Sequence, residues 1–296
     1  MSGRAVIAVD VGGTTIDGAC VSIDGELIGG VRGSESPTAG TSDEIVGELA
    51  RVIGQARAKA DSADVIACGI AMPAPFDYAA GVSHMQHKLP AIRGLPLGTL
   101  LAAQAGLPVY FLNDADAFGL GVSSRQLPDA KRFVALTIGT GLGSGFIEEG
   151  RVVTSGDRVP PNGEVWNLSA NGGILEDRVS ARAVTTAYGP RPDGRGATAR
   201  EVSVLAARGD SAAVAAFQRM GAALGSGLAP VLARFEPEAV VIGGKVGRSL
   251  DLFAPAMREA LAEHGLASLR VVRAAPGNMA LWGAAGHAFS AAGCRG

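Results

Sequence analysis

Apolar residues along the chain fall into two kinds of run. Short, nearly continuous runs at residues 5–11, 65–71, 108–111, 133–138, 237–242 and 269–273 are bounded by glycine, proline or acidic turns. That length and punctuation predict buried strands. Longer stretches carry apolar residues three and four apart, the spacing of one helix face. Residues 42–60 are the clearest, with Ile45, Leu49, Val52, Ile53 and Ala56 aligned. The same spacing predicts helices over 97–105, 176–188, 200–208, 211–235, 250–264 and 280–292. A further helix follows the strand that ends at Phe111, its first turns falling around Ala117-Phe118-Gly119-Leu120.

One arrangement occurs twice. The run 5–11 meets Gly12-Gly13-Thr14-Thr15 and continues as strands at 16–23 and, after Asp24-Gly25, at 26–31. The run 133–138 meets Gly139-Thr140-Gly141-Leu142-Gly143-Ser144-Gly145 and resumes at Phe146-Ile147. Strand, glycine turn, strand is a hairpin, unlike the strand-to-helix loops of P-loop and dinucleotide-binding folds. Glycine pairs let backbone N–H groups form a concave nest around phosphate oxygens. Either turn alone reads as a tight hairpin. The pair, in separate halves of the chain, reads as a grip on polyphosphate.

Composition narrows the class. With 296 residues, 47% hydrophobic and 18% charged, the chain has core enough for two domains. A net charge of −2 gives no bulk attraction to nucleic acid or anionic membrane. Cys20, Cys68 and Cys294 are scattered without CxxC spacing, which argues against a disulfide framework or structural zinc and fits a cytoplasmic protein. No leader pattern or membrane-spanning run is expected. His84 and His87 lie in the turn-rich stretch 76–96, and without thiol or carboxylate partners they read as solvated loop residues.

The chemistry centres on Leu112-Asn113-Asp114-Ala115-Asp116, at a strand-to-helix corner. Open α/β folds hold ligands at such carboxyl edges. An ionised carboxylate there can take a proton from a hydroxyl, oriented by the neighbouring amide. An isolated Asn-Asp would read as a helix cap; the two glycine turns shift the reading to function. Asp10, just before the first turn, could hold Mg²⁺ through water, as that hard cation prefers.

These motifs together resemble the ROK family of sugar kinases and repressors in the actin-like ATPase superfamily. The resemblance covers nearly the whole chain. It rests on Asp10-Val11-Gly12-Gly13-Thr14, Leu112-Asn113-Asp114-Ala115, Leu136-Thr137-Ile138-Gly139-Thr140-Gly141-Leu142-Gly143 and Val241-Ile242-Gly243-Gly244, in that order. It implies an α/β fold of two ribonuclease-H-like domains around a cleft, here expected at 1–112 with 283–296, and at 113–282. It implies ATP and Mg²⁺ as cofactors, a sugar as small-molecule partner and a homodimer. By the resemblance Asp114 is the general base and Asn113 holds a ring hydroxyl. Gly12, Gly13, Thr14, Thr15, Gly139, Thr140 and Gly141 surround the phosphates, and Gly243 and Gly244 lie against the adenosine.

Departures from the family pattern cluster on the sugar side. The usual Gly-Glu-x-Gly-His is Gly163-Glu164-Val165-Trp166-Asn167, with Asn167 in place of histidine. The zinc-binding cysteines that normally follow are absent, although Glu176 is retained, so no zinc site is expected. Glu164, Asn167 and Glu176 are expected to bind the sugar. Pro73-Ala74-Pro75 replaces Pro-Gly-Pro, and Lys88 stands where asparagine is usual. The resemblance implies phosphorylation of a hexose or amino-hexose at its 6-hydroxyl, with glucose or kanosamine as examples. The alternatives are a sugar-binding protein with impaired catalysis and a polyphosphate-dependent kinase. A repressor would need an N-terminal winged helix, for which no room is expected ahead of the first strand.

Overall fold

The computed structural model describes residues 3–86, 88–170, 172–190 and 196–294. Backbone proximity divides the chain into two units, Met1–Arg125 with Gly277–Gly296, and Gln126–Pro276. The division falls after the helix that follows Asn113, later than the boundary expected at 112/113.

The first unit contains β1 (Arg4–Val11), β2 (Thr15–Ser22), β3 (Leu27–Glu35), α1 (Ser42–Arg57), β4 (Asp64–Met72), the small hairpin β5 (Phe76–Asp77) and β6 (Val82–Ser83), α2 (Leu97–Ala105), β7 (Val109–Asn113) and α3 (Asp114–Arg125). Its sheet has the order β3-β2-β1-β4-β7. The pairs β1–β2 and β2–β3 are antiparallel, and β1–β4 and β4–β7 are parallel. Both faces of β1 are covered, which is why it reads as an unbroken apolar run rather than an alternation. Ile7, Val9 and Val11 pack with Ile45 and Leu49 of α1 and with Leu97 and Leu101 of α2. Val6 and Ala8 pack on the other face against Leu281, Ala284 and Ala288 of the last helix, α9 (Met279–Ala291). Helix α1 begins at a full capping box, Thr41 with Glu44.

The second unit contains β8 (Arg132–Ile138), β9 (Leu142–Glu148), β10 (Arg151–Val152), β11 (Ser169–Ala170), β12 (Gly173–Ile174), α4 (Ala181–Tyr188), α5 (Ala199–Ala207), α6 (Ser211–Phe235), β13 (Ala239–Gly243), α7 (Gly244–Gly247), α8 (Leu250–Glu263) and β14 (Arg270–Arg273). The order β10-β9-β8-β13-β14 repeats the first sheet position for position, with three antiparallel strands and then parallel pairing. Each unit is therefore ribonuclease-H-like, and the chain is an α/β protein built on two such sheets. Phe146 and Phe235 meet edge to face, with ring centroids 5.1 Å apart, in the second core.

Local chemistry moves some predicted bounds. The stretch 176–188 splits into a 3₁₀ turn at Leu175–Asp177 and α4, because Ser180 caps α4 by accepting from the Ala183 N–H. Strand β9 begins at Leu142, taking in residues read as turn. The glycines after β13 form the short α7: Gly244 has φ +84°, and a Cβ there would strike the Ile138 carbonyl. The Ala74–Pro75 peptide is cis. His84 is exposed, whereas His87 lies outside the described residues, as does part of the loop after Tyr188. Among the described residues no helix is long and apolar enough to cross a membrane.

Candidate active site

The first unit brings Asp10, Asn113 and Asp114 to the carboxyl ends of β1 and β7, beside the first glycine turn. The Asn113 side chain caps α3: its Oδ1 accepts from the N–H groups of Ala115, at 2.9 Å, and Asp116, at 3.3 Å. Its Nδ2 donates to the Tyr78 hydroxyl at 3.0 Å, and that hydroxyl donates in turn to the Met72 carbonyl. The capping role and the functional candidate therefore coincide in one residue. An amide carries two N–H donors, so one is left to face a ligand.

Asp114 is the first residue of α3. Its Oδ1 accepts from the Ala115 N–H at 2.9 Å. Burial raises its pKa above the ordinary carboxylate value. The Lys88 charge and the backbone hydrogen bonds at Ala115 and Asp114 partly offset that rise. A carboxylate with raised proton affinity is the stronger base.

Asp10 lies opposite Asp17 across β1 and β2. The Asn278 amide, just ahead of α9, donates to both carboxylates, at 2.9 Å to Asp10 and 3.0 Å to Asp17. Burial pushes the Asp10 pKa up to about 6. The Asn278 bond works against that rise, and the negative charges of Asp114 and Asp17 add to it. Asp17, Asn278 and Tyr78 were absent from the sequence reading. Asp17 follows the glycine turn in plain view, but the partner of Asp10 that unites them comes from 268 positions away.

The glycine turns differ from the expected cradle in one respect. Gly12 donates its N–H to the Thr15 carbonyl at 2.8 Å, and Gly139 donates to Gly141 at 2.9 Å, so these two amides close their own turns. The Gly13 and Thr140 N–H groups have no hydrogen-bond partner among the described residues, and both residues are exposed. Thr14 and Thr15 are exposed on the first turn.

In the second unit, Glu176 Oε2 accepts from the Leu142 N–H at 2.9 Å, immediately after the second turn. A Cβ at Gly141 would lie 2.6 Å from that oxygen, so glycine is what lets the carboxylate sit beneath the turn. The Glu176 N–H donates to the Trp166 carbonyl at 3.0 Å, which ties the segment of Glu164 to that of Glu176. Ser144 of β9 anchors the same segment: its Oγ donates to the Gly163 carbonyl and accepts from the Val165 N–H. Asn167 is exposed at the segment's end. Gly243 ends β13 and Gly244 opens α7, apart in sequence from these groups but on the same sheet edge as Thr137.

Comparison with known proteins places this geometry in context. The sequence model described as the ROK family matches residues 6–280. Glucokinase of Thermotoga maritima is 29% identical over 285 residues, spanning 88% of this chain and 87% of its own. N-acetylmannosamine kinase of Shigella boydii is 26% identical over 250 residues, spanning 81% and 83%. Among solved structures, the ROK hexokinase of Thermus thermophilus superposes with a TM-score of 0.81 at 26% identity, covering 97% of this chain and 99% of that one.

Proposed function

The chain belongs to the ROK family, and from that premise we propose that it is an ATP-dependent kinase of a hexose or amino-hexose, acting at the 6-hydroxyl. The observation that carries the reading is Asp114. It is a carboxylate of raised proton affinity at the first turn of α3, with one oxygen held by the Ala115 N–H, beside an amide with one donor to spare. The similarity to a glucokinase and an N-acetylmannosamine kinase supports a sugar acceptor.

In this reading Asp114 takes the proton of the acceptor hydroxyl, and Asn113 orients that hydroxyl. The new bond forms between the sugar oxygen and the terminal phosphorus of ATP. The bond to the bridging oxygen breaks, and its electron pair leaves on ADP. The Gly13 amide, and in its own unit the Thr140 amide, are the groups assigned to phosphate charge, since phosphoryl transfer needs positioning and charge stabilisation more than covalent help. Glu164, Asn167 and Glu176 bind sugar hydroxyls, and Gly243 and Gly244 border the adenosine.

Asp10 suits Mg²⁺. Its carboxylate is a hard oxygen donor and the nearby Asp17 and Asp114 add negative charge, though among the described residues no group of three or more acidic, histidine or cysteine side chains forms a metal site. Asp10 would hold Mg²⁺ there, and the ion would supply charge neutralisation for the donor's phosphates. A homodimer in the cytoplasm accompanies this reading, and sedimentation tests the dimer. The deciding experiment couples ADP release to a panel of hexoses and aminohexoses. Turnover is expected with at least one acceptor and is lost in Asp114→Asn. Near-normal turnover of Asp114→Asn with the correct sugar overturns the mechanism.

A further inference from the structure

Trp166 stands out in the second unit. It is 39% exposed, the only aromatic among the exposed large hydrophobic residues described. The segment around it is extended at Glu164, with φ −94° and ψ 127°. Val165 is fully buried in the core, so Glu164 and Trp166, two residues apart, share the opposite face. Across that face the Trp166 Nε1–H donates to Glu164 Oε2 at 3.0 Å. The Trp166 carbonyl accepts the Glu176 N–H, and the Leu168 carbonyl accepts from the Leu175 N–H, so the backbone that carries the indole is fastened to the segment of the second glutamate. An indole whose polar edge is engaged offers its apolar ring to a partner.

We propose that Trp166 is the specificity-determining residue of this chain, a platform on which one C–H face of the acceptor pyranose stacks while Glu164, held by the indole N–H, receives its hydroxyl edge. This deepens the sugar-kinase reading and rests on it. Each carboxylate keeps one oxygen for the ligand, because Oε2 of Glu164 is held by the indole and Oε2 of Glu176 by the Leu142 N–H. The ligand class follows from the shape of the platform. A pyranose whose ring hydroxyls are all equatorial presents two C–H faces free of axial ring hydroxyls, whereas the axial hydroxyl of mannose or galactose obstructs one face and would strand a polar group against an indole there. The platform therefore favours a gluco-configured acceptor, which stacks through either face, over manno- and galacto-configured hexoses, which stack through only one.

The test compares wild type, Trp166→Ala and Trp166→Phe with glucose, mannose and galactose under saturating ATP. For Trp166→Ala, KM for glucose is expected to rise ~10-fold, about 1.4 kcal/mol, while KM for ATP stays unchanged. Its preference for glucose over the axial epimers should shrink by a similar factor. Trp166→Phe keeps a platform and releases Glu164, so it should fall between the two. Without ATP, glucose should change the emission of a Trp282→Phe protein, in which Trp166 is the sole tryptophan, at concentrations where mannose and galactose change it less; that reading stands even if Trp166→Ala fails to fold. Wild-type turnover with an unchanged glucose KM in Trp166→Ala, or a Trp282→Phe protein whose emission does not respond to glucose, overturns the platform alone. No ADP release by wild type with any sugar overturns the kinase reading itself.

Discussion

Asp10 gives the sharpest physical test, through the substitution Asp10→Asn. Burial, with the nearby Asp114 and Asp17 charges, moves its pKa from 3.8 to about 6. Each tenfold change in acidity corresponds to about 1.4 kcal/mol, so ionising this group in the fold costs about 3 kcal/mol relative to the unfolded chain. The sign follows from a raised acid. Its contribution to stability is fully present below pH 3.8, where both states hold the proton, and is lost as pH rises through about 6. Asparagine keeps an oxygen to accept from the Asn278 amide and never ionises. At pH 4 the variant and wild type should therefore melt together. At pH 7.5 the variant should be more stable by about 3 kcal/mol, a Tm rise of roughly 6–12 °C. Thermal melts of both proteins across this range, without divalent cations, measure the gap, and groups shared by the two proteins cancel in the difference. Added Mg²⁺ should raise the Tm of wild type and leave the variant unmoved. A gap that is constant from pH 4 to pH 7.5, or a variant less stable at pH 7.5, refutes the reasoning.

Other outcomes follow from the same geometry. Asp114→Asn should lose about 10²- to 10⁴-fold in kcat, the usual range for a general base, while melting higher than wild type at neutral pH, since burial also disfavours the Asp114 charge. Tyr78→Phe should free the Asn113 amide and raise the sugar KM while leaving the α3 cap in place. Asn113→Ala should also remove that cap and cost about 1 kcal/mol in denaturant unfolding. In Gly121→Ala, a Cβ would run into the Met279 carbonyl where α3 and α9 touch backbone to backbone, so a loss above about 2 kcal/mol is expected. Gly47→Ala, exposed on α1 with open space around it, should instead gain about 0.5–1 kcal/mol; paired melts check both signs.

Close approaches of this kind explain why the division of the chain was harder to read than its elements. Gly121 on α3 and Gly283 on α9 bring the two helices to backbone contact, with Ala117 opposite Gly283. That contact holds α3 and the whole of α9 in the first unit. Nothing in the periodicity of residues 114–125 marks which sheet they will cover. The second-unit site shows the same limit at shorter range. Glu176 reads in sequence as the start of a helix, but in the fold it is the anchor beneath the Gly139–Gly141 turn. Trp166 was visible as a residue, yet its meaning depends on which side of Val165 the core lies.

The sequence by itself determined the elements and the turns. Strand and helix periods, the Thr41–Glu44 cap, the repeated glycine hairpins and the Asn113-Asp114 corner are local, set by backbone sterics and by side chains a few residues apart. Only the tertiary structure decided that Asn278 bridges Asp10 and Asp17 and that Tyr78 fixes the Asn113 amide. Those facts turn on which polar groups lose water together. Hydrogen bonds between residues 35 to 268 positions apart depend on where the chain returns, and no local pattern records that.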